Sequence, residues 1–351
     1  MKFSFFKKVI IAIVVVILAG AGITAWHYYS LIFVKENVQV KNPDNKYFYI
    51  HTGWTFEDVK QSLYEKNYIL NQSSFEWVAE LKKYKYNVKP GRFLVKEGMS
   101  NNDLINLLRL SGNQTPVQFT FSYDKVHSLE DLAGLAAKKI EPDSTTLANY
   151  IKNPEMMAHY GFNERTILAM FIPNTYELYW NTGAEEFYNR MAKEFKSFWT
   201  PERLSKAKEL DMSQSEVVTL ASIVQGETIK KDEMPKVAGL YINRLKKEIA
   251  LQSDPTVKFA LGEPTRNRIY YKHLQVESPY NTYLNKGLPP GPIGVPSIAA
   301  IDAVLNYTKH NYIFMCARPD FSGYHNFAIT NRQHEINSAK YHRFLNQQNI
   351  R

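Results

Sequence analysis

One cysteine, Cys316, occurs in 351 residues, so no intrachain disulfide can form. Glycine and proline are also sparse, 16 of each, while 44% of the residues are hydrophobic. That combination excludes collagen-like, low-complexity and disordered chains. No Walker loop, dinucleotide fingerprint or G-x-S-x-G elbow is present. His334-Glu335 does not continue to H-E-x-x-H, and the nine histidines show no ligand spacing. Neither a metal nor an organic cofactor is therefore expected. Acidic residues are in deficit, 34 against 43 Lys and Arg, which leaves a net charge of +9. Such a balance suits a membrane surface, a nucleic acid or an acidic polymer, and charge alone does not choose. What the chain has in quantity is aromatic surface, with 23 Tyr, 20 Phe and 5 Trp to fill cores or stack on sugars. Its length suits two domains.

The N-terminus narrows the choice. Between Val9 and Trp26 only Gly20, Gly22 and Thr24 are not hydrophobic. As a helix this run reaches roughly 27 Å, close to the hydrocarbon thickness of a bilayer. Lys2, Lys7 and Lys8 precede it, and Trp26, Tyr28 and Tyr29 sit at its far end. The positive-inside rule then puts residues 1–8 in the cytoplasm, 9–29 across the cytoplasmic membrane and the remainder on the outer, periplasmic face. The rival reading is a cleaved signal peptide, for which Ala19-Gly20-Ala21 supplies small residues. Both readings export the bulk of the chain, and nucleic acid drops out as a partner.

Beyond the polar segment 35–45, the pattern predicts a small α+β module. Tyr47–His51 alternates like a strand, a helix is expected over Ser73–Tyr84, and a strand over Arg92–Val95. Gly53-Trp54-Thr55-Phe56-Glu57-Asp58-Val59 shares G-x-[ST]-x-x-D-[VL] with Gly98-Met99-Ser100-Asn101-Asn102-Asp103-Leu104, and Ser128–Leu132 repeats the S-x-x-D-L part. A hydroxyl three residues before an acid is a helix start. The three copies fit either a duplicated unit or independent caps. Lys82, Lys83, Lys85, Lys89 and Arg92 interleave with Tyr84 and Tyr86, which reads as a polyanion- or glycan-binding face or as a solvated helix end. From Ser128 to about Trp199 the chain reads as mostly helical, with an aromatic cluster around Pro173.

The sharpest chemical signal is a carboxylate. Ser213-Gln214-Ser215-Glu216 is a capping box, and the helix it opens runs on through Glu227 to Thr228. Leu220, Ile223 and Val224 stand seven, four and three residues before Glu227, so its side chain extends an apolar stripe. Burial disfavours the charged form, raises the pKa and suits a general acid. The bland alternative is a pair with Arg244 or a lysine. Gly226 is costly inside a helix and marks either a close approach or the helix end. A second helix is expected near Glu233–Leu251 and a buried strand over Tyr312–Ala317, with Cys316 in the core. Between them, seven of the ten residues 287–296 are Gly or Pro, which fits a stiff ordered loop.

Thr219-Leu220-Ala221-Ser222-Ile223-Val224-Gln225-Gly226-Glu227-Thr228 resembles the [LM]-A-S-I-[VI]-E-K-E-T motif of the YceG-like endolytic murein transglycosylases, the MltG family. The resemblance continues through Asn243-Arg244-Leu245, Leu251–Val257, Tyr280–Tyr283 and Gly287–Ile293, in order and over nearly the whole chain. Two departures stand out. Gln225-Gly226 replaces Glu-Lys, and Asn174 stands where Pro-Asp-Thr is common.

The resemblance implies an α+β fold in three parts: a single membrane helix, a LysM-like module over 45–122 and a catalytic domain over 123–351. It places the catalytic acid at Glu227. Gln252, Asp254, Asn281, Thr282, Tyr283, Pro290, Gly291 and His325 are the candidates for the glycan groove, with Asp254 and Glu277 as conceivable second carboxylates. The implied reaction cleaves the β-1,4 bond between N-acetylmuramic acid and N-acetylglucosamine in nascent strands and leaves 1,6-anhydro ends, terminating strand elongation. Peptidoglycan strands and the membrane are the implied partners, with peptidoglycan synthases as prospective ones. A muramidase-type hydrolase and a non-catalytic glycan-binding scaffold are the alternatives.

Overall fold

The structure, a computed structural model, describes residues 2–42, 46–266 and 268–348. It is a mixed helix-and-sheet protein of two compact units, residues 1–117 with 177–181 and residues 118–176 with 182–351.

The first unit begins with α1 (Lys2–Phe33), one helix whose apolar stretch from Phe5 to Phe33 is long enough to cross a membrane. Its apolar side chains are exposed, as at Ile11, Val16 and Ile23. There follow β1 (Tyr47–Ile50), α2 (Phe56–Glu65), α3 (Gln72–Leu81), β2 (Gly91–Leu94) and α4 (Asn101–Arg109). β1 and β2 pair antiparallel, Tyr47 opposite Leu94 and Ile50 opposite Gly91. That register turns Phe48, Ile50 and Phe93 onto the core formed by Val59 and Leu63 of α2, Phe75 and Val78 of α3, and Leu104 and Leu108 of α4. Thr55 and Ser100 head reciprocal capping boxes with Asp58 and Asp103, and Ser128 does the same with Asp131 in the second unit. The repeated pattern thus encodes three helix starts. The basic stretch is not one face: Tyr84 is core, Lys85 pairs with Glu80, and Arg92 lies over Tyr47.

A polar cluster closes the end of α1. Asn37 Nδ2 donates to Asn101 Oδ1 at 2.6 Å, and the Asn71 amide donates to Asn37 Oδ1 at 2.6 Å. Asn101 Nδ2 donates to the Leu31 carbonyl and to Ser74 Oγ, each at 3.0 Å. Leu31 lies in the last turn of α1, where carbonyls have no partner within the helix.

β3 (Val117–Thr120) pairs with β4 (Thr175–Leu178). The second unit holds α5 (Leu129–Ala137), α6 (Ser144–Ile151), α7 (Pro154–His159), α8 (Ala184–Phe198) and α9 (Pro201–Glu209). Next come α10 (Gln214–Glu227), α11 (Met234–Lys246), α12 (Asp254–Ala260) and α13 (Ile298–Leu305). The chain closes with β5 (Phe314–Ala317), β6 (His325–Ala328) and α14 (Asn331–Gln347). α10 is the axis of this unit, packed by α11, α12 and α13, and every residue from Val217 to Val224 is buried. A helix enclosed all round can present a polar group only at its end, and Glu227 is the last residue of α10.

Three expectations change. The aromatic cluster expected in a mostly helical region contains strand β4, where Tyr176 and Leu178 face inward and Thr175 and Glu177 outward. α11 stops at Lys246, because Glu248 takes a left-handed conformation that ends the helix before Leu251. The strand at 314–317 is half-buried and not core; among the described residues it pairs with β6 alone, and it lines a cavity.

Candidate active site

Glu227 projects from the end of α10 into a cavity of about 490 Å³ whose walls come from α11, the segment before α12, β5, β6 and the start of α14. Two hydroxyls hold its carboxyl. Tyr241 donates to Oε1 at 2.7 Å, and Ser253 donates to the same oxygen. Both bonds converge on Oε1, which leaves Oε2 to the cavity. Tyr241 sits on α11, one helix away, and its phenol is raised well above its usual pKa by burial and by the neighbouring Glu227. It therefore stays a proton donor at any working pH.

Burial raises the pKa of Glu227. The Ser253 and Tyr241 hydrogen bonds oppose that rise by stabilising the carboxylate, the negative charge of Asp254 adds to it, and His325 works against it. Desolvation dominates, so the site favours a carboxyl that keeps its proton above the ordinary range. Among the described residues no salt bridge neutralises it: Arg244 bonds instead to the carbonyls of Ala250 and Ile313 and to Gln252 Oε1. This arginine fastens the segment carrying Gln252 and Ser253 to α11.

Around Glu227 the cavity gathers four of the eight sequence-predicted groove residues: Gln252, Asp254, Tyr283 and His325. Tyr283 donates to Asp254 Oδ1 at 2.7 Å. The Nδ1 atom of His325 lies 2.8 Å from Oε2 of Glu233, a buried carboxylate whose other oxygen accepts from the His325 amide. That clamp fixes the ring and leaves Nε2 as the nitrogen available to a ligand.

The other four sit elsewhere. Asn281 and Thr282 are buried: Asn281 bonds the Leu274 and Val276 carbonyls, and Thr282 Oγ1 accepts from the Ser253 amide. They brace the wall from behind. Pro290 lines a different cavity with Leu288 and Pro289, and Gly291 lies against the Arg165 carbonyl, where a Cβ would come within 1.9 Å. Glu277 is exposed and outside the cavity lining.

Sequence reasoning missed Tyr241, Ser253 and Glu233 as site residues, because they reach the site from 14, 26 and 92 residues away from their hydrogen-bond partners. The only available signal was that Ser253 lies between two groove candidates. Among the described residues, no group of three or more His, Cys, Asp or Glu side chains is placed to hold a metal ion.

The unusual Gln225-Gly226 pair has a structural account. Gln225 Oε1 accepts from the hydroxyl and amide of Ser297, the cap of α13, so the position remains an acceptor without charge. A Cβ on Gly226 would stand 2.7 Å from both Pro255 Cβ and the Tyr123 hydroxyl. Protein atoms, not a ligand, occupy the space above the glycine.

Residues 48–340 match the YceG-like family. A Bacillus subtilis protein named endolytic murein transglycosylase is 27% identical over 307 residues, covering 83% of each chain. A protein of the same name from Streptococcus pneumoniae D39 is 24% identical over 327 residues, which are 85% of this chain but 59% of that one. A crystal structure of a YceG-like protein from Listeria monocytogenes superposes with a TM-score of 0.56 at 24% identity, over 83% of this chain and 97% of the other. That likeness concerns the fold.

Proposed function

The chain belongs to the YceG-like family, and from that premise we propose that it is a lyase, a peptidoglycan lytic transglycosylase whose catalytic group is Glu227. The observation that carries the reading is a single uncompensated carboxyl, raised in pKa, fixed through one oxygen and open through the other to a polar cavity. The relatives named endolytic murein transglycosylase supply the substrate class.

The reaction needs one group that gives a proton and then takes one back. Oε2 of protonated Glu227 donates to the glycosidic oxygen as the bond from C1 of N-acetylmuramic acid breaks and C1 gains oxocarbenium character. The resulting carboxylate is stabilised by Tyr241 and Ser253, both already aimed at Oε1. It then accepts the proton of the C6 hydroxyl as that oxygen bonds to C1 and closes the 1,6-anhydro ring. One proton enters the leaving alcohol, one returns to Glu227, and no water is consumed. His325 and Gln252 offer polar contacts to sugar hydroxyls or the N-acetyl group, and Tyr283 and Asp254 line the same wall.

A muramidase-type hydrolase is the second reading, favoured by one feature: Asp254 puts another carboxylate in the cavity. The products separate them. Mass spectrometry of glycan strands digested by the full-length protein should show 1,6-anhydro ends, absent with Glu227→Gln. Reducing ends would replace this reading with hydrolysis, and undiminished cleavage by E227Q would remove Glu227 from it.

We further propose that α1 is a retained anchor with its N-terminus cytoplasmic, that the first unit is a LysM-like glycan-binding module, and that the second acts outside the membrane on nascent strands. Support comes from the long exposed apolar helix, the preceding lysines and the family membership.

A further inference from the structure

The first unit holds a surface that the catalytic reading does not use, at the C-terminal end of α3. Three contacts fix how α3 runs beside the end of α1. The Asn71 amide meets Asn37, Ser74 Oγ and the Leu31 carbonyl share Asn101 Nδ2, and the Trp77 ring lies 5.1 Å from that of Tyr28. From the cap residue Asn71 through Ser74 to Trp77, the neighbours thus run from residue 37 through residue 31, reached by way of Asn101, to residue 28. The two segments are antiparallel, so the end of α3 points back along α1 toward its apolar stretch. At 1.5 Å per residue, Leu81 stands about 6 Å beyond Trp77, level with about Thr24.

That end is apolar and cationic together. Leu81 is 59% exposed and Trp77 38%. Lys82 and the exposed Lys83 follow, and Arg109 donates to the Lys82 carbonyl at 3.5 Å. Burial and the Arg109 charge lower the pKa of Lys82, while Asp103 opposes them. Among the described residues, no carboxylate forms an ion pair with Lys82, Lys83 or Arg109, although Lys85 nearby is paired with Glu80. Arg109 Nε is buried without a partner.

We propose that this end of α3 is a second membrane contact, with Leu81 and Trp77 in the interface and Lys82, Lys83 and Arg109 at the phosphates of anionic phospholipids. The proposal rests on the reading of α1 as a retained span. The 29-residue candidate span Phe5–Phe33, which holds Lys7, Lys8 and His27 near its two ends, would reach about 43 Å as a helix, more than the roughly 30 Å of hydrocarbon, so its length leaves the depth of the anchor open. Docking of Leu81 selects the register in which hydrocarbon ends near Thr24. Trp26, Tyr28 and Tyr29 then lie among the headgroups, where such rings concentrate, and Lys7 and Lys8 extend to the opposite surface. The module sets the depth of its own anchor.

The test uses the full-length protein with Cys316→Ser, reconstituted in phosphatidylcholine vesicles with or without phosphatidylglycerol. An environment-sensitive fluorophore is placed at Leu81→Cys or, separately, Trp26→Cys, and quenching by lipids spin-labelled near the headgroup is measured. The label at 81 should be quenched with phosphatidylglycerol and released by 0.5 M salt, and adding Lys83→Glu should lower the docked-to-free ratio about fivefold or more. A label at 81 that stays in water while the label at 26 is quenched overturns the proposal and leaves the anchor intact. No quenching at either position overturns the anchor reading and this contact with it. Equal quenching without phosphatidylglycerol overturns the assignment to anionic lipid. Protection at 81 only in native membranes overturns it in favour of a protein partner.

Discussion

Both units bury polar side chains, and they finish the job differently. Asn37, Ser74 and Asn101 in the first unit are neutral, and their amides and hydroxyl satisfy one another and the helix-end carbonyl of Leu31. Glu227 in the second unit can ionise, receives two donors on one oxygen and keeps the other open to a cavity. A closed neutral cluster has nothing left to exchange, so its contribution is a fixed arrangement of chain segments. An open, desolvated acid holds a proton that it can lose to a ligand. Burial of a polar group therefore separates structure from chemistry only when each of its atoms is followed to a partner.

Glu227→Gln tests this contrast most severely. It should lower glycan cleavage by about 10²–10⁴-fold, the usual contribution of a general acid, while the amide oxygen still accepts from Tyr241 and Ser253. A carboxyl with a folded-state pKa above its ordinary 4.5 favours the folded protein fully below that pH, and the benefit is lost as pH rises through the raised value. The melting temperature of the wild type relative to E227Q should fall over that window. A gap independent of pH would mean that the carboxyl is not desolvated.

Asn101→Ala addresses the closed cluster. It strands the Leu31 carbonyl and a donor of Asn37, at a cost of about 1–3 kcal/mol in denaturant unfolding. The loss should be the same at pH 5 and pH 8, because nothing in the cluster titrates, and a pH-dependent loss would undo the contrast. Smaller effects come from the donors to Glu227. Ser253→Ala or Tyr241→Phe removes a bond that favours the carboxylate, so the pKa rises and the alkaline limb of kcat/KM should move up by about one pH unit. Movement downward would mean that these hydroxyls serve the protonated form. Asp254→Asn should have the least effect. Its exposed charge raises the Glu227 pKa, so its removal should move the same limb down by about a few tenths of a unit, less at high salt.

What could be read in advance was local. Thr55, Ser100 and Ser128 each stand three residues before an aspartate, and that spacing alone is the capping box. Glu227 continues a stripe of Leu220, Ile223 and Val224 on its own helix, so its burial was legible too. Its partners were not. Tyr241 and Ser253 approach from other elements, and no periodicity within α10 points to them. The Gly- and Pro-rich loop differs: the composition of 287–296 suggested a stiff ordered loop and the resemblance placed it at the groove, whereas Pro290 lines another cavity and Gly291 is pressed onto the Arg165 carbonyl. Loop composition indicates stiffness and carries no direction. Thr175–Leu178 could not be told from helix because its pairing partner, Val117–Thr120, lies more than fifty residues earlier.

Gly226 ties three distant stretches of the chain into one packing unit. Pro255 and the Tyr123 hydroxyl fill the space that any side chain on it would need, and Pro255 follows directly on the segment of Ser253 and Asp254. A side chain at position 226 would have to displace Pro255 or the Tyr123 hydroxyl, and a shift of Pro255 passes along the chain to Ser253 and so to Glu227. Position 226 therefore bears on the carboxyl through packing, by way of the segment that carries its hydrogen-bond donor.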